Sequence, residues 1–250
     1  MTLRIDFNAD LGEGAGHDAG LLALVTSANL ACGFHAGDPA TILATLGAAR
    51  EAGVAVGAHP SLADRAGFGR RELPITPDDA FSLVTFQVGA FAALATAAGL
   101  RPQHVKPHGA LYNMAARDPE LADAVARAVA SFDRSLLLFA PPASALARAG
   151  AARGLRVVSE FFADRNYLPD GSLVPRSHAD ALLHDPAEAA ARLLRVLREG
   201  VVRAVDDSGV AMRAETICVH GDTPDAVAFA RALRRHLEAA GIAIRPAGVR

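Results

Sequence analysis

Of the 25 Lys and Arg residues in the chain, one is a lysine, Lys106, and it sits in the segment Val105-Lys106-Pro107-His108-Gly109. Arginine serves wherever a generic cation suffices, so this position points to a need arginine does not meet. A compact ammonium that approaches a phosphate or an oxyanion closely, or sheds its proton, is such a need. Other ionisable residues occur in similar surroundings, each after a short apolar run and beside Gly or Pro. They include Asn8-Ala9-Asp10-Leu11-Gly12-Glu13, Cys32-Gly33-Phe34-His35-Ala36-Gly37-Asp38 and Gly57-Ala58-His59-Pro60. Gly67-Phe68-Gly69-Arg70-Arg71, Glu160 to Tyr167 and His220-Gly221-Asp222 continue the series. All four asparagines (Asn8, Asn29, Asn113, Asn166) and both tyrosines (Tyr112, Tyr167) lie in or beside these segments.

Carboxylates and imidazoles so placed suit general acid–base work. His35, His59, His108 and His220 belong with the site on this reading. His236, in the run Arg234-Arg235-His236, reads as a solvated helix face, and His184 as surface. His17 and His178 fall in loops, and His104 opens a strand, at the end of the fold away from the chemistry. Asp10, His35, His59 and His220 could supply a hydrolase metal. No His-x-His, Glu-x-x-His or paired-Cys spacing accompanies them, so the metal is left open. No G-x-x-x-x-G-K-[ST] loop is present, and Gly12-Glu13-Gly14-Ala15-Gly16 does not complete a dinucleotide fingerprint.

The elements that must carry these groups alternate along the chain. Short apolar runs are Leu3–Phe7, Ala28–Ala31, Val54–Gly57, His104–Lys106, Leu136–Phe139, Val157–Ser159 and Ile217–Val219, with Ile242–Ile244 trailing. Helix starts between them share a capping residue followed by proline: Asp38-Pro39, Thr76-Pro77, Asp118-Pro119, Asp185-Pro186 and Thr223-Pro224. Gly53, Gly99, Gly154 and Gly241 supply the stops. Strand–helix alternation predicts βαβ units and a parallel sheet, and seven or eight units in 250 residues favour a closed α/β barrel over an open doubly wound sheet. A single domain, 1–250, is expected, with the strand-end residues converging on the mouth.

The rest of the composition limits the partners. A formal net charge of -2 and a pI near 6.5 leave no electrostatic footprint for nucleic acid or an anionic membrane. The substrate is therefore expected to be small. The start of the chain lacks a signal-peptide pattern, and the apolar run Val88 to Leu100 is shorter than the roughly 20 residues of a membrane span. Cys32 and Cys218 read as buried free thiols in a cytoplasmic protein.

In this order the segments resemble the LamB/YcsF family, the A subunits of bacterial 5-oxoprolinase. The likeness rests on Asp6 to Glu13, Ser27 to Pro39, Gly57 to Ser61, Gly67 to Arg71, Val105 to Asn113, Phe162 to Tyr167 with Leu173 to Arg176, and Val219 to Pro224. Two departures are Phe7, where leucine or isoleucine is usual, and Ser177-His178-Ala179-Asp180, which lacks an expected Pro-Gly. The resemblance implies a distorted (β/α)7-type barrel similar to the glycoside hydrolase/deacetylase group. It also implies an ATP-dependent amidohydrolase, using ATP with Mg²⁺, that opens 5-oxoproline to L-glutamate together with subunits B and C. On that reading Lys106, Asp10, His59, His108 and Asp164 are the expected catalytic residues. Asn8, Glu13, His35, Arg70, Arg71, Glu160, Arg165, Arg176, His220 and Asp222 are expected to bind substrate or nucleotide. Two other readings stay open: a metal-dependent deacetylase of N-acetylated sugars, and a substrate-binding subunit without catalysis of its own.

Overall fold

The computed structural model describes residues 3–220 and 225–248. Seven parallel strands close a barrel: β1 (Arg4–Leu11), β2 (Ser27–Ala31), β3 (Ala55–His59), β4 (His104–Val105), β5 (Leu137–Ala140), β6 (Arg156–Phe162) and β9 (Thr216–Val219). Closure comes from β9, which pairs with β6 on one side and β1 on the other. Between β6 and β9 an antiparallel hairpin, β7 (Val201–Arg203) and β8 (Gly209–Ala211), is inserted. Its strands are only three residues each, too short to stand out as runs. A last short strand, β10 (Ala243–Ile244), lies alongside the start of β1.

The crossovers are carried by α1 (Asp18–Leu22), α2 (Pro39–Ala52), α3 (Pro77–Ala97), α4 (Gly109–Arg117), α5 (Pro119–Phe132), α6 (Ala145–Ala152), α7 (Pro186–Glu199) and α8 (Ala226–Ala239). Asp38, Thr76, Asp118 and Asp185 each accept a hydrogen bond from a backbone N–H of the first helical turn, with proline behind them as expected. Thr223-Pro224 lies outside the described residues. Helix α3 is the one among the described residues long and apolar enough to cross a bilayer by length and composition. Its Ala80, Val84, Gln87, Val88, Phe91 and Ala95 form a buried stripe at helical spacing, and it packs against α5 and β3.

Alternation along each strand divides the molecule into two zones. Outward residues such as Phe7, Ala9, Leu11, Leu30, Val56 and Ile217 join the apolar layer under the helices. The inward residues of β1 are Asp6, Asn8 and Asp10, all buried. Barrels of this kind usually fill their interior with branched apolar side chains. Here a small apolar plug of Leu137, Phe139, Val158 and Ala247 closes one end, and polar groups occupy the rest.

Candidate active site

The polar interior rises in connected layers. In the lowest, Asp6 accepts hydrogen bonds from Thr26, Ser27 and Thr216, and burial pushes its pKa up. Above it, Asn8 Nδ2 donates to Thr216 Oγ1 at 2.7 Å and Glu160 Oε1 at 3.1 Å. Asn29 Nδ2 donates to Asn8 Oδ1 at 2.7 Å and Asp10 Oδ1 at 2.8 Å. His104 Nε2 lies 2.8 Å from Asn29 Oδ1, an acceptor, so that nitrogen donates. Strand register explains how His104 gets there: Asn29 pairs with Gly57, and Gly57 with His104. A Cβ on Gly57 would sit inside the His104 ring's space, so the missing side chain is what lets the imidazole cross to Asn29. His104 thus stays off the mouth, as expected, yet it supports the site from below, stacked on Phe139 at 4.2 Å.

Burial, reinforced by the Lys106 charge, lowers the His104 pKa to about 3, so the folded protein holds the neutral ring. The unfolded chain takes up this proton near pH 6.5, and between about pH 3 and 6.5 it binds more protons than the folded state. Stability from this residue is therefore present above pH 6.5 and lost on acidification. Urea unfolding is expected to show a loss of about 2 kcal/mol at His104 between pH 7 and pH 5. His104→Phe, which keeps the stack on Phe139, should reduce the acid sensitivity by that amount; an unchanged pH slope would contradict the assignment.

The next layer is centred on Lys106, 2% exposed. Its Nζ lies 2.9 Å from Asp10 Oδ1, 3.0 Å from Glu160 Oε1 and 3.0 Å from Cys218 Sγ, with Asn8 Oδ1 at 3.4 Å. Burial opposes the ammonium, but the Asp10 and Glu160 carboxylates and the hydrogen bond to Cys218 hold its pKa well above the ordinary lysine value. Burial likewise pushes Asp10 up, and His59 and Lys106 outweigh it, leaving the carboxyl well below its usual value. Tyr112 Oη donates to Glu160 Oε2 at 2.7 Å, and its own pKa is raised by burial and by Glu160. Three acceptors within 3.0 Å of one nitrogen suit a compact ammonium better than a planar guanidinium fork.

Over this layer three imidazoles and a carboxylate meet. The His35 and His108 rings stack at 3.8 Å, and His59 stands edge-on to both. His35 Nε2 is 3.0 Å from Glu13 Oε1. His59 Nε2 is 3.4 Å from Asp10 Oδ2, which links the imidazoles to the lysine layer. Burial lowers the His35 pKa to about 3, and burial with the neighbouring His35 and His59 carries His108 well below its usual value. The Gly67-Phe68-Gly69 turn holds this cluster in place. Phe68 adopts φ +54°, a costly backbone for a bulky residue, and its carbonyl accepts from His108 Nε2 at 2.9 Å. Gly69 and Gly109 both have positive φ; a Cβ on Gly69 would collide with Ser61 Oγ and with the His35 and His108 side chains, and one on Gly109 with the Gly69 carbonyl. A cleft of about 330 Å³ opens beside the cluster, lined by Glu13, Gly14, His35, Thr41, Arg65 and Phe68.

The expected residues divide into three groups. Asn8, Asp10, Glu13, His35, His59, Lys106, His108 and Glu160 form one connected assembly. Asp164 and His220 pair next to it, with His220 Nδ1 2.8 Å from the carboxylate; burial pushes Asp164 up but His220 brings it below its usual value. The arginines are mostly placed elsewhere. Arg71 is tied to Asp64 with a side chain 63% exposed, and Arg165 is buried with Nε and Nη2 donating to the Ala181 and Val174 carbonyls. Both therefore have these donors engaged within loops of the folded chain. Arg70 is exposed over the Phe68 ring, and Arg176 acts electrostatically on Asp164 and Arg165. Asp222 lies outside the described residues.

Cys218 escaped the sequence reading, and Tyr112 and Asn29, which that reading placed in or beside the site segments without a role, join it in the assembly. Cys218 shares strand parity with Thr216 and His220, so once His220 is placed at the mouth, Cys218 must also point inward. Its thiol is pushed well above the ordinary value by burial and by Asp10, so it stands protonated beside Lys106.

A seven-stranded parallel α/β barrel with buried acid–base groups gathered at its strand ends is the architecture of a catalytic barrel. The chain belongs to the LamB/YcsF family, whose model matches residues 5–249. A relative from Methylococcus capsulatus, named as the A subunit of 5-oxoprolinase, is 53% identical over 253 residues, covering 99% of this chain and 97% of that one. The crystal structure of a lactam utilization protein from Thermus thermophilus superposes with a TM-score of 0.90 at 48% identity, covering 97% of this chain and 99% of that one. A T48 deacetylase solved with substrate shares the fold at a TM-score of 0.52 and 15% identity, covering 98% of this chain and 88% of that one.

Proposed function

We propose that this chain is the A subunit of an ATP-dependent 5-oxoprolinase, opening the lactam of 5-oxoproline to L-glutamate in the cytosol together with subunits B and C. One observation carries the reading. The segments that build the lysine and imidazole layers lie within a chain-long likeness, 53% identical, to a protein named as the A subunit of 5-oxoprolinase.

The chemistry fits such a mouth. A lactam amide is resonance-stabilised, and its carbonyl carbon is a poor electrophile for water. Phosphoryl transfer from ATP, with Mg²⁺, to the lactam oxygen turns that oxygen into a leaving group. Water then adds to the activated carbon while Asp10, His59 or His108 takes its proton. A proton delivered to the ring nitrogen, with Asp164 and His220 as the candidate donor pair, lets the C–N bond break. Loss of inorganic phosphate to a second water completes glutamate. Lys106 has its protons committed to Asp10, Glu160 and Cys218, so its effect runs through the placement and charge of Asp10. Arg70 and Arg176 are the candidates for holding the substrate carboxylate or phosphate oxygens.

The test is an assay of the purified chain for glutamate formation from 5-oxoproline, with ATP and Mg²⁺, with and without its B and C partners. Glutamate is expected only when ATP and both partners are present. An intact assembled complex that forms none would overturn the reading and direct attention to deacetylation.

A further inference from the structure

Two neighbouring sets of donor atoms lie at the mouth. Asp10, Cys218 and His220 form one set, and the Lys106 ammonium, 2.9 Å from Asp10 and 3.0 Å from Cys218, already provides its cation. Glu13, His35, His59 and His108 form the other, with one donor atom of each within 4.8 Å of the rest.

The hydrogen bonds around this second set fix which nitrogens carry protons. His59 Nδ1 lies 2.6 Å from the Lys106 carbonyl, which can only accept, so Nδ1 carries a proton and the neutral ring presents a lone pair at Nε2. His108 Nε2 lies 2.9 Å from the Phe68 carbonyl, so by the same logic Nδ1 presents a lone pair. Those two bare nitrogens face each other at 2.9 Å. Glu13 Oε1 stands 3.5 Å from one and 4.0 Å from the other. Acceptors converging in a buried space repel unless a cation lies between them. Ligands bound at zinc–nitrogen and zinc–oxygen lengths on a tetrahedron are spaced by roughly 3.3 Å, which these separations bracket. Each imidazole also gives its other N–H to a backbone carbonyl, the arrangement that orients metal-bound histidines.

We propose that this mouth binds one first-row divalent metal ion, Zn²⁺ foremost, through Nε2 of His59, Nδ1 of His108 and the Glu13 carboxylate, with His35 holding Glu13 in place and one coordination position open. Two nitrogens and one carboxylate favour such an ion over Mg²⁺ or Ca²⁺, which take oxygen ligands. The site stands on the donor geometry and does not depend on the lactam reading; with the ion bound, Asp10 is the base left to that reading.

The full-length, tag-free chain, stripped with chelator and dialysed, is titrated with Zn²⁺ by calorimetry and with Co²⁺ by visible spectroscopy. One equivalent per chain is expected, with a four-coordinate Co²⁺ spectrum that lacks a thiolate charge-transfer band. His59→Ala and Glu13→Gln should each weaken Zn²⁺ binding at least about 100-fold, and His35→Ala by roughly 10- to 100-fold as a supporting residue. Cys218→Ser should leave affinity unchanged, and circular dichroism establishes that each variant is folded. Absence of binding to the wild-type chain overturns the proposal and leaves a shared proton between His59 and His108. A thiolate band, or binding that survives in a folded His59→Ala/His108→Ala double variant, also overturns it. Stoichiometric binding in a complex that makes no glutamate would sink the lactam reading and leave the metal site standing.

Discussion

Lys106→Met is expected to bring 5-oxoproline-dependent turnover in the reconstituted complex below about one-hundredth of wild type, and to destabilise the folded chain by about 3–5 kcal/mol. The side chain is nearly isosteric, so the loss comes from charge. The ammonium lies between Asp10 and Glu160, and its removal leaves two buried carboxylates without a counter-ion. In the wild type, Asp10 is held well below its usual pKa despite burial, so its stabilising share is present above the unfolded value near pH 4 and lost only in acid. Without Lys106 one of the groups opposing burial is gone, so the folded pKa of Asp10 rises and its stabilising share shrinks. The gap to wild type should therefore be widest at neutral pH and narrow as the pH falls from 8 toward 4. Urea titrations across that range measure the gap directly. Lys106→Arg should not restore activity, because the setting among Asp10, Glu160 and Cys218 suits a compact ammonium better than a planar guanidinium fork. Turnover unchanged in Lys106→Met would remove Lys106 from the mechanism.

Gly57→Ala, a change of one methyl group remote from the mouth, is expected to cost about 3 kcal/mol. The added Cβ would fall within 2.2–2.5 Å of three His104 ring atoms. The imidazole must then leave Asn29 and its stack on Phe139, or the β3–β4 pairing must shift. Either response moves Asn29, which donates to both Asn8 and Asp10, so activity should fall with stability. Gly89→Ala is the control: a Cβ there meets nothing within 4 Å on α3, and helix propensity predicts a gain of about 0.5–1 kcal/mol. Thermal melts of both variants compare the two positions. A Gly57→Ala protein melting with wild type would show that His104 has room the packing does not indicate.

Much of the scaffold was legible locally because its signals are local. Asp38, Thr76, Asp118 and Asp185 cap helices through bonds spanning two or three residues, and proline behind each fixes the first turn. Strand ends were less legible. The run Leu3–Phe7 stops short of the observed Arg4–Leu11, because Asn8 and Asp10 point into a polar barrel and interrupt the apolar pattern. Val201–Arg203 and Gly209–Ala211 were missed for another reason: each strand is three residues long, too short for an alternation to show.

The sequence by itself determined the chemical inventory at the strand ends: one lysine, four clustered histidines, and the carboxylates of Asp10, Glu13, Glu160 and Asp164. It also determined the alternation that brings them to one end of a barrel, since period and capping are written in neighbouring residues. Tertiary structure alone decided how that inventory is shared out. Lys106 meets Asp10 96 residues away and Cys218 112 residues away, through strand register across the barrel. Arg165 and Arg71 have the charge for substrate binding but spend their donors on loop carbonyls and on Asp64, and only the folded positions of those acceptors reveal it. The lone pairs of His59 and His108 face one another because the Lys106 and Phe68 carbonyls claim their other nitrogens, and backbone carbonyls carry no signature in a sequence.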